Sequence, residues 1–462
     1  MRWSERPAAR ALRVEGEVEQ WLSAGELDDR TRSVAGALFE RGVRRGDRVC
    51  WQADSTTPAV LAALGVVRLG AVLVPVSASQ SELERRTVLE DIAPTLVVAQ
   101  AGSLQVPGWS VVDPASLRAE QASLVAENLA ADELALVIYT SGTTGRPKGA
   151  MLTHGNLSAG IGALVDAWEL SGDDQLVSAL PLFHVHGLVA ALLGVLTAGG
   201  AVELHARFEA ASFLEATAKK DATLAFCVPT MLHRMAATDP AKLRGLRLLV
   251  SGSAPLSVSL FDELRRSASQ SILERYGMTE TLLTTSNPLH GERRPGTVGL
   301  ALPGVLLDAP APSEEPRELR VSGPTVFAGY WNRPEATAEV LHDGWMDTGD
   351  LVSVDDHGYV VVCGRSKELI ITGGFNVYPS EVEDALRGRW NVVDAAVIGR
   401  PSAEWGEEVV AVVVLDGSGS FDEAALRQAL ANELSSYKVP RRIEVTTELP
   451  RNSLGKLQRH LL

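Results

Sequence analysis

The chain has 462 residues, 45% of them hydrophobic and 22% charged, with a formal net charge of −15. That length points to more than one domain, and the apolar share is ample for a large core. The acidic balance argues against a general nucleic-acid binder or a protein drawn to anionic membranes, so any anionic ligand must be held by local charge. Cys50, Cys227 and Cys363 show no metal-ligand spacing and no paired framework, as expected of small buried thiols in a reducing compartment.

The opening stretch MRWSERPAARALRVEG has no apolar centre and does not read as a signal peptide. Residues 27–41 carry apolar positions at helical spacing. DRVCWQAD (47–54) reads as a strand, 58–69 as a helix starting at a proline, and AVLVPVS as the next strand. APTLVVAQ, LALVIYT, DQLVSAL, GAVEL, ATLAFCVP and LRLLVSGSA continue as short β runs separated by helical segments. This alternation predicts an α/β fold: a large N-terminal domain of layered, mostly parallel sheets with flanking helices. The apolar run 188–202 is too short and too glycine-rich to span a bilayer and reads as a buried helix and turn. A cytoplasmic enzyme is expected.

The pattern changes after about Pro303. PAPSEEP (310–316) is a loop, and ELRVSG, YVVVCGR and KELIITGG read as short strands with turns. From Glu381 come a helix, the strand pair AAVIGRP and EEVVAVVVL, the linker DGSGS and a helix over 423–434. These form a small α+β C-terminal domain. The expected domains are 1–364 and 365–462, joined by a hinge near 364–367.

Residues 139–149, YTSGTTGRPKG, follow the apolar strand LALVIY and concentrate glycines, hydroxyls and one lysine. The stretch fails as a P-loop. Counting from Gly142, the position that must be glycine is Pro147, and Lys148 is followed by Gly149 where a hydroxyl is needed. Its composition still suits polyphosphate: glycines admit close backbone approach, and hydroxyls, N–H groups and a lysine supply donors. A flexible polar loop is the plainer alternative.

YTSGTTGRPKG, YGMTE, GWMDTGD, GRSKELIITGGFNVYP and PRNSLGK occur in that order. With these motifs, the chain from about residue 27 onward resembles the acyl-adenylate-forming ligases: acyl-CoA synthetases, luciferases and peptide-synthetase adenylation domains. The resemblance implies two steps. ATP and a carboxylate give an acyl-adenylate and pyrophosphate, and a thiol then displaces AMP. It places the β- and γ-phosphates on Thr140, Ser141, Gly142, Thr143, Thr144 and Lys148, and the adenine wall on Ser251, Gly252, Ser253, Ala254 and Pro255. Tyr276, with Gly277 and Met278, faces the adenine. Thr279 meets the α-phosphate, and Glu280 takes Mg2+. Magnesium prefers hard oxygen ligands and bridges phosphates. Standing alone, Glu280 would read as a solvated turn residue. The two carboxylate oxygens of Asp350 suit the ribose hydroxyls, helped by Arg365. Lys456 is the expected bridge between carboxylate and α-phosphate during adenylation, and Lys367 the hinge. Gly373 and Gly374 are expected along the coenzyme A channel, with a plain β-turn as the alternative.

His184, in PLFHVHG, matches the position bordering the acyl pocket; His186 is a second candidate. Arg234, in CVPTMLHRM, and Arg293, in NPLHGERRPGTVG, flank the segments expected around the acid. Arginine pairs carboxylates in a bidentate fashion, so both point to a second carboxylate on the substrate, with Arg294 as the alternative to Arg293 and exposed surface ion pairs as the plainer reading of both. These segments resemble malonyl-CoA synthetases, and malonate or methylmalonate is the implied acid. A monocarboxylate CoA ligase, or an adenylation enzyme loading a carrier-protein thiol, are the alternatives within the class. A regulatory or phosphotransfer protein that only binds nucleotide would need neither Lys456 nor the small domain. The expected partners are a carboxylic acid, ATP and coenzyme A, with neither nucleic acid nor membrane.

Overall fold

The computed structural model of the chain describes residues 5–17, 20–103, 108–119, 129–140, 147–387, 391–402, 404–417, 421–452 and 455–462. Arg48–Gln52, Val72–Val76 and Leu96–Val98 are parallel neighbours in a six-stranded sheet. They are buried almost throughout, which is why they read as unbroken apolar runs rather than alternating ones. Helix Ala24–Glu40 starts at Ser23, whose hydroxyl accepts from Glu26 N while the Glu26 carboxylate accepts from Ser23 N. Such a capping box contributes about 1 kcal/mol. The helix buries Leu27, Val34 and Leu38. Helix Thr57–Arg68 lies tight against it, because a Cβ on Gly65 would stand 2.5 Å from Val34 Cγ1.

Leu134–Thr140 and Lys148–Thr153 close the edge of this sheet as an antiparallel hairpin, with Thr140 opposite Lys148. The glycine-rich segment is thus flanked by two paired strands, and its residues 141–146 lie outside the described residues.

A nine-stranded sheet forms the second layer. Gln175–Ser178, Leu224–Cys227, Leu248–Ser251 and Leu273–Tyr276 lie side by side and parallel within it. Their carboxyl ends share one edge, where ligands gather in such sheets. That edge launches PLFHVHG, VPTM, GSAP and YGMTE. The expected buried helix after it begins as a π-helix over His186–Leu193, continues as Gly194–Thr197, and gives way to strand Ala201–Leu204.

Between residues 303 and 365 the strands pair antiparallel. Trp345–Val354 pairs with Arg317–Ser322 on one side and Val360–Arg365 on the other. This ten-residue strand carries DTGD and was not expected, because two aspartates and a glycine interrupt its apolar pattern.

The small domain holds Ile370–Thr372, Phe375–Val377, Val392–Ser402, Gly406–Leu415 and Arg442–Thr446 in one sheet. Ile370, Val382, Leu386, Val397, Ala411 and Leu426 belong to a core of its own, separate from that of the large domain. Because Val360–Arg365 still pairs within the large domain's third sheet, the break between sheets falls in the turn Ser366–Glu368. Among the described residues all three cysteines are free, and no helix is long and apolar enough to cross a membrane.

Candidate active site

A carboxylate, a phenol and an arginine meet where YGMTE faces the strand carrying DTGD. Asp350 and Arg365 are opposite each other across the antiparallel pair. Arg365 Nε stands 2.7 Å from Asp350 Oδ1. Tyr276 Oη donates to Asp350 Oδ2 at 2.6 Å. Burial first, then Asp350, pushes the Tyr276 phenol well above its usual range. Burial opposes the charge on Arg365, yet Asp350 and its neighbours hold it above the usual arginine range. The buried Asp350 is thus an oriented pair of acceptors.

The YGMTE turn is tightly built. A Cβ on Gly277 would lie 2.0 Å from Leu282 O, so only glycine fits. Leu282 itself adopts φ 56°, a left-handed conformation held by its full burial. The turn presents Thr279, half-buried, and Glu280, 5% exposed. Burial raises the Glu280 carboxyl above its usual range, while a hydrogen bond from Tyr330 Oη at 2.8 Å acts the other way. Lys148, half-buried, places Nζ 5.3 Å over the Tyr330 ring. Thr140 Oγ1 donates to Lys148 O at 3.4 Å. Ser141, Gly142, Thr143 and Thr144 lie outside the described residues.

Lys456 reaches this region from the other domain. Asn452 builds its turn, accepting from Lys456 N at 2.9 Å. The turn abuts Thr230 at the start of helix Pro229–Ala236, since a Cβ on Gly455 would stand 2.9 Å from Thr230 Cγ2. Lys456 is exposed, yet crowded by protein charge. Partial desolvation and then Arg365 lower its ammonium below the usual lysine range, against the opposing pull of Asp350 and Glu368. The small domain therefore stands with Lys456 toward Asp350 and Arg365. Lys367 is exposed in the turn between the sheets. Gly373 and Gly374 form an exposed two-residue hairpin turn at φ 56° and 83°.

The wall beside Ser251 and Gly252 holds buried polar atoms without partners among the described residues. Ser251 is fully buried and its Oγ has no partner among the described residues. Gly252 clears space for a side chain: a Cβ there would meet Arg275 Nε at 2.5 Å. Arg275 is 4% exposed, and neither Nε nor Nη2 has a hydrogen-bond partner among the described residues. Burial lowers its guanidinium to about 10, still protonated at neutral pH. His186 donates or accepts through Nδ1 to Ser253 Oγ at 3.2 Å, with Nε2 unpartnered. His184 Nε2 is also buried and unpartnered, and burial lowers that imidazole to about 4. Ala254 and Pro255 continue the same wall, half-buried and exposed.

The two arginines singled out from the sequence are placed differently. Arg293 is engaged by backbone: it donates to Pro288 O at 3.2 Å, to Leu289 O at 3.1 Å and to Ser271 O. Arg294 pairs with Glu292 at 3.0 Å and Asp355 at 2.5 Å, and lies over the Tyr359 ring. Arg234 is exposed one turn beyond Thr230, and its guanidinium has no hydrogen bond or ion pair among the described residues. Arg275 was missed. Its signal was present, since Glu274 and Arg275 put two adjacent charges inside a buried parallel strand, where an apolar run is the rule.

Residues 1–331 match the model of the AMP-binding enzyme family, and residues 381–456 match that family's C-terminal domain. The chain belongs to the AMP-binding enzymes. Feruloyl-CoA synthase from Amycolatopsis sp is 37% identical, with 98% of this chain and 94% of that protein covered. ATP-bound MatB from Rhodopseudomonas palustris superposes with a TM-score of 0.91 at 37% identity, covering 98% and 95%. A malonyl-CoA ligase in complex with methylmalonyl-CoA and AMP gives a TM-score of 0.72 at 38% identity, covering 96% and 97%. This AMP-binding enzyme is an acyl-CoA ligase of the adenylate-forming class.

Proposed function

We propose that this ligase joins malonate, and methylmalonate as a second acid, to coenzyme A through an acyl-adenylate, releasing pyrophosphate and then AMP. The observation that carries the choice of acid is Arg275, a buried guanidinium with two unmatched donors beside Gly252 and His186. An unpaired buried charge is strongly disfavoured, and a second carboxylate on the substrate would pair it. An aryl or fatty tail would leave it unpaired. Arg275 takes the role first given to Arg293, whose three guanidinium nitrogens each already donate to a backbone carbonyl; Arg234 is the second candidate for the tail.

The remaining roles follow the charge problem of adenylation, in which a carboxylate attacks an already anionic phosphate. Lys148 and the hairpin connection, with Thr140, Ser141, Thr143 and Thr144, hold the β- and γ-phosphates. Tyr276 and the wall 251–255 take the adenine, and Asp350, set by Arg365, accepts from the ribose hydroxyls. Thr279 and Lys456 donate at the α-phosphate, Lys456 also meeting the attacking carboxylate. His184 and His186, neutral in their buried setting, line the acid and move no proton. Glu280 fits Mg2+ as a single hard carboxylate: among the described residues no group of three or more His, Cys, Asp or Glu converges on a metal of its own. Magnesium carried by nucleotide phosphates needs one or two protein carboxylates. When bound it neutralises phosphate charge. For the thiol step the small domain turns at Lys367, withdraws Lys456 and brings Gly373 and Gly374 to the pantetheine arm. The higher TM-score to the ATP-bound relative than to the product complex supports an adenylation-ready arrangement here.

The test is a panel of mono- and dicarboxylates with ATP, Mg2+ and coenzyme A, reading AMP and thioester. Malonate should give malonyl-CoA, AMP and pyrophosphate. Release of ADP and orthophosphate overturns the mechanism, and preference for a monocarboxylate overturns the choice of acid.

A further inference from the structure

Glu280 is held from a segment 50 residues further along the chain. Residues 327–333 run beside the phosphate-loop hairpin and lace it on both sides. Phe327 N donates to Glu280 O at 2.8 Å, and Tyr330 Oη donates to Glu280 Oε1 at 2.8 Å. Trp331 N donates to Gly149 O at 2.7 Å, and Tyr330 pairs with Ala150, so the same backbone extends the strand leaving the loop. On the entering strand, Tyr139 Oη donates to Asp91 at 2.7 Å, and Asp91 also accepts from Arg333 at 2.8 Å and Trp331 Nε1 at 3.2 Å. Tyr330 is itself fixed. Its N donates to Thr337 Oγ1 at 2.8 Å, and its ring packs edge-on to Phe327 with centroids 4.9 Å apart. Lys148 Nζ lies over the face of that ring.

We infer that Tyr330 is a positioning residue: its hydroxyl aims the Glu280 carboxylate while its backbone and ring set Lys148, so that the two reach the nucleotide in fixed register. The inference rests on Glu280 as the magnesium carboxylate. Groups that orient a metal ligand in this way typically change metal affinity by 10- to 100-fold when removed.

The variant is Tyr330→Phe, which deletes the hydroxyl and keeps the ring against Phe327 and beneath Lys148. Two measurements apply. The first is the Mg2+ concentration giving half-maximal AMP formation, which should rise about tenfold or more, with KM for the acid little changed. The second needs no turnover: the increment in Tm that ATP with Mg2+ adds over ATP with EDTA. That increment should shrink, while the effect of ATP with EDTA stays as in the wild type. In a Glu280→Gln background, Tyr330→Phe should add almost nothing to either readout, because the hydroxyl acts through that carboxylate. An unchanged metal response, equal losses in both backgrounds, or loss of a cooperative melt would each overturn the inference. Should the wild type form AMP from no acid tested, the proposed ligase activity falls by itself. The melting arm would still decide the role of Tyr330, and a wild type without any Mg2+-dependent increment would overturn it.

Discussion

Arg275→Met puts the choice of acid to the sharpest test. Arg275 is 4% exposed and leaves Nε and Nη2 unmatched, an arrangement that becomes favourable only when an anion arrives. Breaking a desolvated charge pair costs about 2–5 kcal/mol, or about 30- to 4,000-fold in kcat/KM at 1.4 kcal/mol per decade. The loss should fall on malonate, with KM for ATP nearly unchanged and propionate use little affected, since propionate has no second charge. Fold stability should move the other way. Replacing an unpaired buried charge by an apolar side chain of similar length is neutral or stabilising, so Tm should hold or rise. The assay is kcat/KM for malonate and propionate on the wild type, Arg275→Met, Arg234→Met and Arg293→Met, with Tm for each. Arg293→Met should lose three bonds to backbone carbonyls, lower Tm and keep the malonate preference. If Arg275→Met folds and keeps the wild-type preference, the reasoning from unmatched donors fails. Loss of preference in Arg293→Met would return that residue to the tail.

Lys456→Ala should cut adenylation on the order of 100- to 1,000-fold, roughly 3–4 kcal/mol, and leave thioester formation from supplied malonyl-AMP much less affected; equal losses in both half-reactions would refute a role in adenylation alone. Glu274 is buried, its Oε2 lacks a partner among the described residues, and burial pushes its carboxyl up to about 8. The folded state therefore keeps a proton that the unfolded chain loses near pH 4.3, and stability should fall as pH rises from there to about 8. Glu274→Gln should accordingly gain stability, and Tm with it, over the wild type from pH 5 to pH 8, by roughly 4 kcal/mol over that range at about 1.4 kcal/mol per pH unit; a gap that does not grow with pH refutes the neutral carboxyl. Chelation of divalent metal with EDTA should abolish AMP formation and leave the apo melt unchanged.

The sequence by itself determined whatever depends on neighbours along the chain. Apolar runs such as VLVPV and LLVS were strands because central parallel strands are covered on both faces. Ser23 with Glu26 started a helix through local donors and acceptors. The composition of YTSGTTGRPKG suggested a polyphosphate loop, and five ordered motifs carried the family. Tertiary structure decided whatever depends on which groups are left without partners. Arg293 and Arg275 are alike as letters. One lies against three carbonyl oxygens, while the other lies in space that Gly252 vacates, with two donors unmatched. The strand Trp345–Val354 was hidden because its aspartates and glycine are tolerated only through pairing on both sides. Tyr330 and Glu280 are far apart in the chain, and the contact between Gly455 and Thr230 crosses two domains. Burial and hydrogen-bond satisfaction are properties of the packed chain, so the class of reaction was legible in local chemistry while the buried arginine with unmatched donors was not.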